Sequence, residues 1–582
     1  MSRDLLINTS SIFCDFLLFF FSLCRSFSFS SLVIMTPSRL AFDYVIVGAG
    51  SAGSVLAKRL SANGKHSVVL LEAGKSDEYY LPIHVPVGYL HCIDNSRTDW
   101  RFRTEQEPGL NGRVLGYPRG KGLGGCSAIN GMIYMRGQRE DYDAWSRATG
   151  DEGWNWDALL PLFKRDEDYH GGESEWHGAG GSWRVDKQRL SWKALEVFKA
   201  ATIESGIPAV DDFNKGSNFG VSYFDVSQRD GWRLNAFQAL VRPVQAQRMN
   251  LKVFTDAHVH HLDFGDANDP LRCTGVTFRG GKAGGAAKLD QVLARKEVIL
   301  SSGAIGSVQV LERSGIGCAK RLEKVPGVTV RVNLPGVGEN LQDHLQLRAS
   351  FRVKGLPTLN TRSHSLLGKL GIGLEYLFSR SGPLSMAPSQ LGVFARSSPS
   401  YSRPNVEFHV QPLSLERFGQ PLHNYDAITA SVCNLRPTSR GSAHISSADI
   451  DAEPRIQPRY LSTDEDLAVA ADSLRLARRI VLQTLAFAPY RPEEVLPGSH
   501  YQTEDELRKA AGDVGTTIFH PVGTCKMGPA TSPESVVSST LNVHGVRGLR
   551  VADASVMPTI TSGNTAAPTM VIAERAADLI MA

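Results

Sequence analysis

Three glycines and an acid near the start of the chain form its first group of residues with chemistry to offer. They are Gly48, Gly50 and Gly53 in the turn GAGSAG, and Glu72, about 20 residues further on. Gly48 permits a tight turn, Gly50 lets the backbone approach a pyrophosphate, and Gly53 lets the following helix pack on its strand. The phosphates would rest on the N-terminus of a helix that opens at Ser51 and Ala52. Glu72 is placed to accept hydrogen bonds from ribose hydroxyls, and its charge disfavours a ribose 2′-phosphate. A second glycine-rich stretch, residues 117–131 (YPRGKGLGGCSAING), contains Gly124, Gly125, Asn130 and Gly131. Its exposed amides can cradle phosphate oxygens, with Arg119 and Lys121 adding positive charge. A third group lies near the C-terminus, where His520 is followed by Pro521 and Gly523, and later by Asn564. A histidine of near-neutral pKa is suited to general acid–base work. Alone, such a histidine is more often structural.

These residues need elements to position them. The apolar run Tyr44, Val45, Ile46, Val47, the glycine turn, an amphipathic stretch and a second apolar run ending at Glu72 make a complete βαβ unit across residues 42–72. Residues 75–118 hold too many breakers for long elements and read as lid or ligand-contacting excursions. The apolar triplet Ile133, Tyr134 and Met135 argues that the second glycine loop is packed. Residues 251–259 (LKVFTDAHV) and 298–301 (VILS) read as strands, as do 405–410 (NVEFHV) and 427–435 (AITASVCNL). Residues 463–485 are a helix with Leu467, Ala470, Leu474 and Ala477 on one face. A last helix has Pro568 in its first turn and Met570, Ala573, Ala577 and Ile580 along one apolar face.

At 582 residues the chain calls for two or more domains. A formal charge of +4, from 63 basic and 59 acidic residues, gives no reason to expect nucleic acid. The 8 cysteines include no CxxC, so neither a zinc site nor a disulfide framework is implied, and no metal is expected. Residues 1–34 differ in character. The apolar run 16–23 is too short to span a membrane and reads as a targeting segment, a weak membrane association, or sequence upstream of a start at Met35. Location is thereby left open between cytoplasm, membrane surface and an organelle.

The βαβ unit followed by YPRGKGLGGCSAINGMIYMRG resembles the glucose–methanol–choline (GMC) family of flavin oxidoreductases. Further motifs arrive in that family's order: Gly303 to Ser307 (GAIGS) with Ser314 to Gly317 (SGIG), then LPGVGENLQDH, FHPVGTCKMG and VADASVMPTITSGNTAAPTMVIAERAADLI. The resemblance implies an α/β fold with an α+β second domain. A Rossmann-like FAD-binding domain, discontinuous in sequence, would span residues 40–344 and return at 512–582 with the active site. A largely antiparallel-sheet substrate-binding domain would occupy residues 345–511. It implies one FAD, contacted also by Val259, Asp553, Ala554 and Thr565, and a catalytic pair of His520 and Asn564. It further implies that the last helix points its positive end at the flavin. The function implied is oxidation of a primary alcohol, choline-like, aliphatic or aromatic, with a quinone, another carrier or oxygen as electron acceptor.

Two departures qualify this. Where members with covalently bound flavin have a histidine, this chain has Ile129, so the FAD is expected to be noncovalent. Where choline-specific members have a tyrosine before the catalytic histidine, it has Phe519, which keeps a π face and loses the hydroxyl. Other outcomes on the same fold are a hydroxynitrile lyase, an oxygen-using alcohol oxidase, a non-catalytic flavoprotein, and a light-driven fatty acid decarboxylase, which Cys433 brings to mind. The intact motifs weigh against the non-catalytic reading, and the ordinary dehydrogenase-like strand CNLRPTSRG against the last.

Overall fold

The computed structural model describes residues 40–280, 288–416 and 420–582. The N-terminal 1–34 segment lies outside them. The first strand, β1 (Leu40–Val47), enters a helix, α1 (Ser51–Leu60), and then β2 (Val68–Leu71). β1 is central because it is covered on both faces: Val45 and Ile46 are fully buried, the burial a parallel strand requires. It pairs in parallel with β2 on one side and with the strand Lys288–Leu300 on the other. The strand Leu251–Phe254 extends the sheet beyond β2, and Leu549–Val551, from the far end of the chain, adds beside Lys288–Leu300. Strands Cys273–Gly280 and Ala257–Phe264 complete the sheet in antiparallel fashion. The residues 251–259 expected as one strand are therefore two, broken at Asp256, whose φ of +54° turns the chain.

The second sheet is antiparallel. Its long strands are β3 (Leu345–Arg352), β4 (Leu391–Ala395), β5 (Val406–Gln411) and β6 (Ala427–Asn434), in the order β3, β6, β5, β4. It reaches outside residues 345–511: Gly220–Tyr223 pairs with β4, and Gly515–Thr517 pairs with β3. Alternation sorts the strands between two faces. Leu345, Leu347, Ala349 and Phe351 of β3, with Val406, Phe408 and Val410 of β5 and Ile428, Ala430 and Val432 of β6, pack into one apolar core. The helix Asp464–Leu482, capped by the Thr463 side chain, packs Ala470, Leu474 and Ala477 into that core. The opposite face carries Gln346, Arg348, Ser431, His409 and Gln411, and these line a cavity.

The last helix, α2 (Ala566–Met581), returns to the first sheet and packs along α1. Small residues permit the approach: Ala52 and Ala57 on α1, and Ala573, Ala576 and Ala577 on α2, are all buried. No helix among the described residues is long and apolar enough to cross a membrane.

Candidate active site

One cavity of about 1450 Å³ runs between the two sheets. Both glycine loops close one end of it, and they meet back to back. Gly125 has φ +52°, and a methyl group there would lie 2.7 Å from Gly50 Cα. Gly124 N–H donates to the Ala49 carbonyl at 2.9 Å. A methyl group on Gly53 would lie 1.8 Å from the Gly48 carbonyl oxygen, so helix and turn are in contact. Gly53 and Gly124 thus build the loops from behind, while Gly48, Gly50, Ser51, Ala52 and Gly125 line the cavity itself.

Glu72 does more than the sequence suggests. Its Oε2 accepts the Ala49 N–H at 2.9 Å, and its Oε1 accepts those of Gly74 at 2.8 Å and Gly122 at 3.0 Å. The carboxylate therefore clamps the first loop to the second. Burial pushes its carboxyl up, and the three N–H bonds oppose that. Oε2, with one donor, keeps a further accepting lone pair. Val259 lines the wall nearby, with Arg313 Nε donating to the next carbonyl, of His260, at 2.8 Å. His258 rests against Trp100 at 5.0 Å and is pushed down to about 3 by burial and by Arg313, so it is neutral.

Asn130 and Gly131 also line the cavity. Asn130 Oδ1 accepts from the Met132 N–H and from Arg233 Nη1, each at 3.0 Å. Asp553 receives the Ser555 N–H at 2.8 Å, the Gly303 N–H at 2.9 Å and the Ser307 hydroxyl at 2.6 Å. It thereby ties the helix Gly303–Arg313 to the end of the last strand, with Ala554 beside it in the cavity wall.

His520 stands at the junction of the two sheets. Its Nδ1 lies 3.1 Å from Nδ1 of His344, and His344 Nε2 lies 3.0 Å from the Leu435 carbonyl. A carbonyl only accepts, so His344 carries its proton on Nε2 and its Nδ1 is an acceptor. His520 must then donate from Nδ1, which leaves its Nε2 unprotonated. Asn564 Nδ2 donates to that Nε2 at 3.2 Å, while Asn564 Oδ1 is buried with no partner. Burial, then His344, His409 and Arg119, hold the His520 imidazole well below its usual range. The arrangement is a neutral imidazole facing the cavity, with an orphaned amide oxygen next to it. Thr565 and Ala566, at the N-terminus of α2, line the same end, so the positive helix end faces the cavity.

Asp343 places this histidine. Its Oδ1 accepts the His520 N–H at 2.8 Å, and its Oδ2 accepts the hydroxyls of Tyr117 at 2.9 Å, Thr517 at 2.6 Å and Tyr460. Arg119, expected to offer charge to a phosphate, instead donates to the Phe519 carbonyl at 2.6 Å. That bond helps hold Phe519 at φ +70°, a left-handed backbone that turns His520 inward. Lys121 stacks over Trp100 at 4.6 Å. Gly523 is packed against Asn340, whose carbonyl oxygen a methyl group would approach to 2.7 Å.

Asp343 and His344 lie inside the motif LPGVGENLQDH, where nothing in the chain beyond an acid standing next to a histidine marked them out from their neighbours. Cys433 is buried among Phe213, Phe224 and Phe394, away from the cavity wall. Its sulfur and ligand atoms of Glu407 and His409 lie within 4.8 Å of one another. Burial and Glu407 keep that thiol protonated, so the trio is no ready-made anionic metal site.

The donors and shape of this cavity fit a dinucleotide: two touching glycine loops, a helix N-terminus, and a carboxylate with one acceptor position left. Family models described as GMC oxidoreductase match residues 42–346 and 437–573. The chain is 38% identical to the mitochondrial choline dehydrogenase of Homo sapiens, covering 94% of this chain and 90% of that protein. It is 37% identical to an alcohol dehydrogenase [acceptor] of Pseudomonas putida, covering 93% and 96%. Among solved structures, pyridoxine 4-oxidase from Mesorbium loti superposes with a TM-score of 0.81 at 30% identity over 92% of this chain and 98% of that one. A formate oxidase variant of Aspergillus oryzae RIB40 gives 0.84 at 25% identity over 94% and 99%. This chain is a member of the GMC oxidoreductase family, an FAD-dependent enzyme acting on CH–OH groups.

Proposed function

We propose that this protein oxidises a primary alcohol to the aldehyde, with His520 as the base that takes the hydroxyl proton. The observation that supports this reading is the unprotonated Nε2 of His520, fixed by the relay from the Leu435 carbonyl through His344 and facing the cavity beside Asn564. FAD, when bound, supplies the acceptor for the hydride. Substrate displaces the Asn564 Nδ2–H from His520 Nε2, which frees that lone pair for the hydroxyl proton; Asn564 then offers its N–H to the substrate oxygen, and its unpartnered Oδ1 is free to receive a donor. As the proton moves to Nε2, the imidazolium gains charge in a buried place. Asp343, whose carboxylate already accepts the His520 backbone N–H, is a carboxylate beside it that would favour that charge. The reduced cofactor is reoxidised in this reading by a quinone or another carrier, or by oxygen.

Anaerobic mixing of the holoenzyme with a panel of primary alcohols tests the reading. Bleaching of the flavin by at least one alcohol, with the aldehyde formed in equal amount, is expected. A spectrum unchanged by every alcohol, with cyanohydrin cleaved instead, would assign lyase chemistry to the site.

A further inference from the structure

We infer that the alcohol this enzyme takes carries a carboxylate, held by Arg348 at the end of the cavity away from His520. The inference rests on the alcohol-oxidation reading for the reacting end and on separate observations for the anion. Arg348 sits on the polar face of β3, opposite Ser431 on β6, which is opposite His409 on β5. All three line the cavity, with Gln346 and Gln411 flanking them. The row is thus a polar strip across three strands, set into an otherwise apolar wall that includes Leu384, Met386 and Leu413.

Arg348 is the odd member of this strip. Its Nε and Nη2 are buried without a hydrogen-bond partner. Among the described residues no carboxylate bonds or ion-pairs with it; of the four acids lining the cavity, Glu72 and Asp553 are committed to backbone donors, Glu416 pairs with His423 and Asp513 accepts from Asn111. Burial holds its guanidinium below the usual range, with the Tyr89 phenol acting the other way. The contrast with other buried arginines is instructive. Arg136 pairs with Glu167 at 2.8 Å, and Arg233 donates to the carbonyls of Asn130 at 2.7 Å and Pro86 at 3.1 Å. A buried cation with idle donors is unfavourable unless something else in the cavity meets it. A planar fork of N–H groups matches a carboxylate.

The spacing suits one molecule. His344, which touches His520, precedes Arg348 by four residues, about 13 Å along a strand, and the arginine side chain spans part of that length. An ω-hydroxy acid several bonds long would place its carboxylate at Arg348 and its CH–OH carbon at His520. A quaternary ammonium would meet an unpaired like charge in low dielectric, so choline is disfavoured.

Two measurements on the holoenzyme test this. Calorimetric titration compares hexanoate with hexanamide, neither of which can be oxidised, in wild type, Arg348→Met and Arg348→Lys. Hexanoate should bind roughly 10²-fold tighter than hexanamide to the wild type. Arg348→Met should abolish most of that ratio and Arg348→Lys keep part of it. Equal affinity for acid and amide in the wild type overturns the proposal without reference to any variant. So does a ratio that survives Arg348→Met in protein with a normal flavin spectrum. Anaerobic flavin reduction then compares ω-hydroxyhexanoate, ω-hydroxyhexanamide, ω-hydroxyhexyl phosphate and choline, and the carboxylate should have the highest kcat/KM. A preference for choline or for the phosphate overturns it. If hexanoate is discriminated but no alcohol bleaches the flavin, the anion site stands and the alcohol-oxidation reading falls.

Discussion

Replacing His344 by phenylalanine tests how His520 is held ready as a base. His344 gives its Nε2 proton to the Leu435 carbonyl at 3.0 Å, which makes its Nδ1 the acceptor for His520 Nδ1–H at 3.1 Å. Phenylalanine fills the space and removes the acceptor. The His520 Nδ1–H is then buried without a partner, at a cost of about 1–3 kcal/mol. Moving the proton to Nε2 relieves that cost and blocks the base. With 1.36 kcal/mol equal to a factor of ten, flavin reduction should slow by about 5- to 150-fold. His344→Asn, whose amide oxygen falls near the lost Nδ1, should recover much of the rate. The assay is anaerobic stopped-flow reduction at saturating alcohol in His344→Phe, His344→Asn, His520→Ala and the double variant His344→Phe/His520→Ala. Because His344 acts only through His520, the double variant should be no slower than His520→Ala. Full additivity in the double variant, or an unaltered rate in His344→Phe, would refute the relay.

His520→Ala should itself lower flavin reduction by about 10²- to 10⁴-fold with the visible spectrum largely kept, and Asn564→Ala should cost less. Burial, with His344, His409 and Arg119, lowers the His520 pKa, and the neutral form is the base. The rate should therefore rise with pH through one ionisation below about 6.5, stay flat above it, and lose that ionisation in His520→Ala; an unchanged profile moves the base elsewhere. Gly125→Ala should yield protein depleted in FAD, because the new methyl group would lie 2.7 Å from Gly50 Cα. Gly64→Ala, at φ +70° with nothing within 4 Å, should cost about 1–2 kcal/mol of stability and keep its flavin, so equal flavin content in the two variants would count against the loop contact. Acid precipitation should release the yellow colour to the supernatant, since residue 129 is isoleucine; colour left in the pellet would mean a covalent link.

Much of the cofactor site was legible in the chain because local geometry and residue type carry it. A glycine turn between a buried strand and a helix has few uses, and the spacing from Gly48 to Glu72 is set by one βαβ unit, whatever surrounds it. The alternation of β5 and β6 was likewise plain in residues 405–410 and 427–435, so Val406, Phe408 and Val410 had to share one face; β3, which carries Gln346 and Arg348, was not read as a strand. What the chain could not say is which polar face looks into a cavity and which into solvent. That depends on the two sheets meeting, through contacts between residues hundreds of positions apart. Glu72 became a clamp between two loops only when Ala49 and Gly122 were brought to it. Arg119, read from the chain only as positive charge in a glycine loop, became the support of Phe519 for the same reason. The tautomer of His520 is the clearest case. Its proton is placed by Leu435, through His344, and a hydrogen-bond chain linking positions 435, 344 and 520 exists only in three dimensions.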